Sequence, residues 1–310
     1  MKHQNQYALK VLSHGVKYFS RKLLSLLPDK FSALIGELGY TDIIKRSSKV
    51  NFVGNVFMTN LKINCQSNYA VERIAAAKNM GKSEPFFGIS KLQLSNFTML
   101  DIGANIGAYS IGAVGIGAKM VYAIEPGPLL ERMKQNIRIN ALEDVIVPIK
   151  LGLSSKAGKM RWYEDVQNPG NAHLVTSIDS LSFEKIPTKF SDTFVEVNVI
   201  TLNSLIYDYD IQKVDLIKID VEGMEWEVLS GGKGFIERDR PIIVAETHRV
   251  ASDMMQYDCM TPLFGYLYSL GYESYSFKNN KFVKFIYPNF DLDTFFIPKE
   301  QDKFLQDHRN

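Results

Sequence analysis

Met99-Leu100-Asp101-Ile102-Gly103-Ala104-Asn105-Ile106-Gly107-Ala108-Tyr109 decides the fold of this 310-residue chain. An apolar run ends in a carboxylate, a turn bounded by two glycines follows, and a run of small residues, Ala108–Ile116, reads as a helix. Gly103 permits a tight turn and lets a ligand touch the backbone, while Gly107 lets the helix pack closely on the strand. That is the opening of a nucleotide-binding unit. Close helix–strand packing alone would select the same glycines, so the turn takes its meaning from what surrounds it.

Outward from this stretch, strands and helices alternate. Strands are expected at Thr98–Ile102, Met120–Glu125, Val145–Leu151, Val195–Val199, Val214–Asp220 and Ile242–Glu246, with helices at Leu129–Asn140 and Met224–Leu229 between them. The alternation predicts a parallel sheet covered on both faces. The segment between Leu151 and Val195 reads as irregular. A helix closing at Leu267–Leu270 before Gly271 leads to strands at Tyr272–Phe277, Lys281–Tyr287 and Thr294–Ile297. Upstream, Phe52–Val53, Val56–Met58 and Leu61–Ile63 suggest a hairpin turning at Gly54-Asn55 and Thr59-Asn60, followed by a helix at Val71–Lys78. The chain therefore divides into a helical arm (1–48), a lead-in (49–95), a core (96–275) and a C-terminal β extension (276–310).

The arm is basic. Lys2, Lys10, Lys17, Arg21, Lys22 and Lys30 face only Asp29, and Leu9, Leu12, Val16, Phe19, Leu23 and Leu26 recur at helical spacing before Pro28. Such a helix packs on its own domain, on a second copy, or on an anionic membrane surface. For the whole chain the net charge is +2, with 45% hydrophobic and 23% charged residues, which excludes a disordered chain and gives no field for nucleic acid. Cys65 and Cys259 are isolated, and no apolar run approaches the ~20 residues of a membrane span. The expected location is the cytoplasm, with the inner membrane face as the variant that the basic helix would allow.

Three further carboxylates close strands. Glu125, before Pro126, can take both hydroxyls of an adenosine ribose, a feature common to nicotinamide dinucleotides and S-adenosylmethionine. The first turn separates them. Asn105 stands where a pyrophosphate wants glycine, and Asp101 would repel that pyrophosphate but suits the ammonium of a methionine. Further on, Lys218-Ile-Asp220-Val-Glu222-Gly223 delivers two carboxylates to the carboxyl edge of the sheet, and Glu246-Thr-His248 adds a third with a histidine. A helix start favours acids for its dipole, which accounts for Glu222 and Glu225 better than for Asp220.

Taken in order and spacing, Asp101-Ile-Gly-Ala-Asn-Ile-Gly107, Glu125-Pro126, Asn136 with Asn140, Thr201-Leu202, Lys218 to Gly223 and Glu246-Thr-His248 resemble the FkbM-type methyltransferases over about residues 96–275. The resemblance implies a class I, Rossmann-like α/β fold with a mostly parallel seven-stranded sheet. It implies S-adenosylmethionine as cofactor, contacted by Asp101, Gly103, Ala104, Asn105, Gly107, Glu125, Pro126, Leu153 and Asp220. Two positions depart from the family pattern: Ser155 stands where an acid near the adenine is usual, and Asn203 replaces Asp in Thr-Leu-Asp.

The expected chemistry is O-methylation of a hydroxyl on a sugar, glycan or secondary metabolite. The acceptor's proton must be removed as the bond forms. His248 or Asp220 is the expected base, oriented by Glu246 or Glu222, with His173 in the loop Asn168–His173 as another candidate. A divalent metal on Asp220, Glu246 and His248 is compatible with the spacing but not demanded by it. Trp162 and Tyr163 read either as core or as a stacking platform. A nicotinamide oxidoreductase is disfavoured by Asp101 and Asn105, and a catalytically degenerate scaffold is the non-enzymatic alternative.

Overall fold

The computed structural model describes residues 52–55, 62–65, 84–165, 173–175, 190–247, 258–289 and 293–302. The basic arm, the helix expected at 71–78, most of the loop 168–173 and His248 lie outside the described residues.

β1 (Phe52–Asn55) pairs antiparallel with β2 (Lys62–Cys65), as a hairpin requires. Gly54-Asn55, expected to turn, instead lies inside β1 opposite Ile63 and Lys62. Helix α1 (Glu84–Lys91) then leads to β3 (Phe97–Ile102), α2 (Ala108–Gly115), β4 (Ala118–Ile124), α3 (Leu129–Ile139) and β5 (Ile146–Ile149). After an inserted sheet come α4 (Leu202–Asp208), β10 (Leu216–Ile219), α5 (Glu225–Ser230), α6 (Lys233–Asp239) and β11 (Ile242–Glu246). Helix α7 (Met260–Ser269) precedes β12 (Tyr272–Lys278), β13 (Lys281–Phe285) and β14 (Asp293–Pro298).

The main sheet runs β5-β4-β3-β10-β11-β14-β12-β13. The first five strands in that order are mutually parallel, whereas β14 is antiparallel to both its neighbours. This is the expected class I arrangement with one change: among the described residues the sheet has eight strands, not seven. The eighth forms because Asn279 and Asn280, both with positive φ (51° and 64°), turn β12 tightly into β13. The strands set apart in the sequence as a C-terminal extension belong to this sheet, and β14 lies between β11 and β12.

Side chains alternate with period two. Phe97 and Met99 of β3, Leu216 of β10 and Val244 of β11 pack under α1, α2 and α3, among Phe86, Ile111 and Met133. Leu100, Ile102, Ile217, Ile219 and Ile243 pack under α4 to α7, among Leu205, Val228, Phe235 and Phe264. Each fully buried side chain of this kind stabilises by about 1.5–3 kcal/mol. The alternation places Asp101 and Lys218, paired in register across β3 and β10, on the first face, where apolar residues precede them.

The segment read as irregular forms a second sheet, ordered β6-β9-β7-β8: β6 (Gly152–Leu153), β7 (Gly158–Asp165), β8 (His173–Val175) and β9 (Phe190–Ile200). Met160, Trp162, Val197 and Val199 make its buried face against Met224. Among the described residues, no helix is long and apolar enough to cross a membrane.

Candidate active site

The main sheet reverses its growth between β3 and β10: β4 and β5 lie to one side, β11 to the other. Ligands of open α/β sheets bind outside the carboxyl ends of the strands at such a point. Here those ends are in register, Ile219 beside Ile102, and the Asp220 N–H continues the ladder to the Ile102 carbonyl at 3.0 Å.

The two turns that leave β3 and β10 touch backbone to backbone. Gly103 has φ +78°, and a Cβ built on it would fall 1.9 Å from the Asp220 carbonyl oxygen. Its N–H and that of Ala104 both donate to the Ile124 carbonyl of β4. Asn105 is also left-handed, φ 56°, and its Oδ1 accepts from the Ile106 N–H. Buried Asn136 of α3 donates to the Ile106 carbonyl, and Asn140 donates to the Asn136 carbonyl, so this pair fixes the turn rather than a ligand.

Glu125 is buried, and both of its oxygens are oriented. Oε2 accepts from the Asn105 N–H at 3.0 Å, and Oε1 from the Gly127 N–H at 2.7 Å. Burial pushes its carboxyl up, while those two N–H groups pull it back. Gly127 keeps this arrangement open, since a Cβ there would meet the Trp162 ring at 2.5 Å. Asp101, Gly103, Ala104, Asn105, Glu125, Pro126, Leu153, Trp162, Asp220 and Glu222 line one cavity. Gly107 is not among its lining; its φ of +85° starts α2, and a Cβ there would press on Met133.

Asp101 is buried and accepts from the Ser110 hydroxyl at 2.5 Å. Burial pushes its carboxyl up to about 6, with Asp220 adding to the rise and Ser110 and Lys218 opposing it. A carboxyl raised on folding contributes stability that is complete below its unfolded value and lost as pH rises through the folded one. Asp101→Asn should therefore raise stability by on the order of 3 kcal/mol at pH 8 and by nothing near pH 3. Thermal melts at the two pH values check it, and an equal gain at both would refute the electrostatic cause.

At the other lip of the cavity, oxygens of Asp220, Glu222 and Glu246 lie within 4.8 Å of one another. Burial, Asp220 and Glu222 push the Glu246 carboxyl well above the usual carboxylate range, with Lys218 opposing. Glu222 has φ 56° in a non-glycine residue, and buried Glu225 reaches back to hold this turn through the Val221 and Gly223 N–H groups. Burial pushes Glu225 up to about 7, those N–H groups opposing.

Sequence reasoning gave Lys218 no role, yet it is the cation of this group. Its Nζ is 3.5 Å from Asp220 and 3.5 Å from Asp293, and 5.3 Å from the Tyr109 ring centre. Burial alone would favour the neutral amine, but the surrounding acids more than offset it and the ammonium is retained. A lysine two residues after core-facing Leu216 on one strand was the available signal. His173 opens β8. The two departures are structural: Ser155 donates to Glu227, and Asn203 Oδ1 accepts from the Phe235 N–H at the start of α6.

Comparison with known proteins adds the following. The family described as "Methyltransferase FkbM domain" matches residues 101–275. Methyltransferase sdnD of Sordaria araneosa is 29% identical over 157 residues, 44% of this chain and 61% of that protein. Hexuronic acid methyltransferase AglP of Haloferax volcanii is 25% identical over 145 residues, 46% of this chain and 53% of that protein. The chain thus spans little more than half the length of these relatives. A solved methyltransferase FkbM from Methylobacillus flagellatus is 18% identical with a TM-score of 0.43, covering 66% of this chain and 44% of the other.

Proposed function

Since the chain belongs to the FkbM methyltransferase family, we propose that it is an S-adenosylmethionine-dependent O-methyltransferase acting on a hydroxyl of a sugar or secondary metabolite. One observation carries the reading: the glycine turn, Glu125 and Asp220 line a single cavity at the switch point of the sheet. The name of one relative, a hexuronic acid methyltransferase, supports a sugar acceptor.

The residues fit the cofactor. Glu125 has each oxygen held by one backbone N–H, which leaves lone pairs on both for the two ribose hydroxyls. Gly103 and Ala104 offer a backbone without bulk, and Asp101 lies where a methionine ammonium needs an anion. When bound, the cofactor supplies a sulfonium-activated methyl group.

The protein's own contribution is alignment and proton removal. Asp220 faces the cavity and is the assigned base, with the Glu246 carboxyl beside it to orient it. Glu222 stands at the same lip, ready to accept from a neighbouring acceptor hydroxyl.

Calorimetric titration with S-adenosylmethionine, S-adenosylhomocysteine and NAD tests the reading. Saturable binding of both adenosyl ligands and none of NAD is expected. Glu125→Ala should weaken that binding about 10- to 100-fold, the worth of hydrogen bonds to a charged group. NAD binding alone, or no binding by folded protein, would overturn the assignment.

A further inference from the structure

Lys218 occupies a position where the fold needs only an apolar side chain. Leu216, Met99 and Val244 fill the same face of the sheet, and the Lys218 side chain is 2% exposed. An ammonium is costly to bury unless paired, so its presence there calls for a reason other than packing.

Its partners come from two ends of the sequence. Asp220 lies just past the end of β10, at the cavity; Asp293 opens β14, opposite Glu246 in register, and also meets the ammonium. We propose that Lys218 is a positioning residue for proton removal: anchored by Asp293, its buried ammonium holds Asp220 as an oriented carboxylate at the edge where the methyl group is transferred. The inference rests on the methyltransferase reading above, with Asp220 as base.

The charge in this place has a clear task. Asp101 from β3, Asp220 just past β10, Glu246 from β11 and Asp293 from β14 act on it directly, with the Tyr109 ring of α2 beside the ammonium, while Glu222 acts on Glu246 and Glu225 on Asp220. Without a cation among them, mutual repulsion would drive protons onto the group, Asp220 included, and a protonated Asp220 cannot serve as base. In the transfer the acceptor O–H bond breaks and its proton passes to Asp220. The O–CH₃ bond forms with the oxygen's electron pair, and the S–CH₃ bond breaks with its pair left on sulfur. Lys218 neither gives nor takes a proton.

The test needs no acceptor. Protein carrying ¹³C at the aspartate carboxyl carbons is titrated by NMR, with the Asp220 resonance assigned by its loss in Asp220→Asn. In Lys218→Met the Asp220 midpoint should rise by about one pH unit or more, since an opposite charge within 4–6 Å has been removed. In Asp293→Asn it should move down, because a neighbouring anion is gone and the ammonium turns wholly to Asp220. Lys218→Arg, which keeps the charge, should restore most of the wild-type value. Opposite signs in the two deletions are the mark of electrostatic positioning, which a merely structural lysine would not produce. If Lys218→Met does not fold, Asp293→Asn and Lys218→Arg still decide. An Asp220 midpoint unmoved, or moved the same way, in the folded variants overturns the proposal. Titration of each variant with S-adenosylhomocysteine separates the two readings: wild type that fails to bind it defeats the methyltransferase assignment and leaves the charge arrangement standing.

Discussion

Gly103→Ala is expected to lower stability by about 2–5 kcal/mol, and to weaken S-adenosylmethionine binding more than 100-fold in what remains folded. Two costs add. A left-handed backbone costs about 1–2 kcal/mol in a residue with a Cβ, and forcing extra bulk into a packed site costs about 1–3 kcal/mol. The bulk here has nowhere to go, since the new Cβ would fall 1.9 Å from the Asp220 carbonyl oxygen, which is backbone. Either turn must move, and moving either one separates the cofactor end of the cavity from the acceptor end. The melting temperature should fall by roughly 5–15 °C for a domain of this size. Gly158→Ala is the control: a Cβ there meets nothing within 4 Å, and both readouts should stay near wild type. Calorimetry and thermal melts of the two variants suffice, and a Gly103→Ala protein that binds normally would refute the contact between the turns.

Asp220→Asn should lower methyl transfer by about 10²- to 10⁴-fold, the usual worth of a positioned base. The substitution keeps the shape of the side chain, so the Gly103 contact, which involves only the Asp220 backbone, survives. Turnover is followed with radiolabelled S-adenosylmethionine and whichever neutral hexoside, hexuronate or secondary-metabolite alcohol the wild type methylates. S-Adenosylmethionine affinity should change by less than about tenfold, which divides the effect between kcat and binding. A loss confined to affinity would assign Asp220 to the cofactor and leave the base to another residue.

Much of this site was legible in the sequence because it is local. Asp101 to Gly107, Glu125 and Asp220 each end an apolar strand, and a parallel sheet gathers such ends on one edge. The same alternation runs through β7, where Lys159 and Arg161 alternate with buried Met160 and Trp162, although the segment from Leu151 to Val195 reads as irregular in the sequence. What stayed hidden depends on distant pairing. Asp293 has no local mark of function; it reaches Lys218 only because β14 inserts beside β11, 75 residues away from the lysine in sequence. Glu225 looked like an acid at a helix start, and its reach back to Val221 and Gly223 turns on the left-handed Glu222 between them. Gly54-Asn55 had the composition of a turn, but pairing with β2 drew it into a strand.

The placement of β14 also bears on where the protein can be cut. The family segment ends at residue 275, inside β12, while the strand that joins β12 to β11 spans Asp293–Pro298. A fragment trimmed to the family boundaries would carry a slit through its sheet and a lysine sealed inside with half its counter-charge missing. During synthesis the same condition holds on the ribosome until β14 emerges. The charged heart of the site is thus finished only when β14 slides between two strands that were made before it, and synthesis through Pro298 becomes a precondition for chemistry.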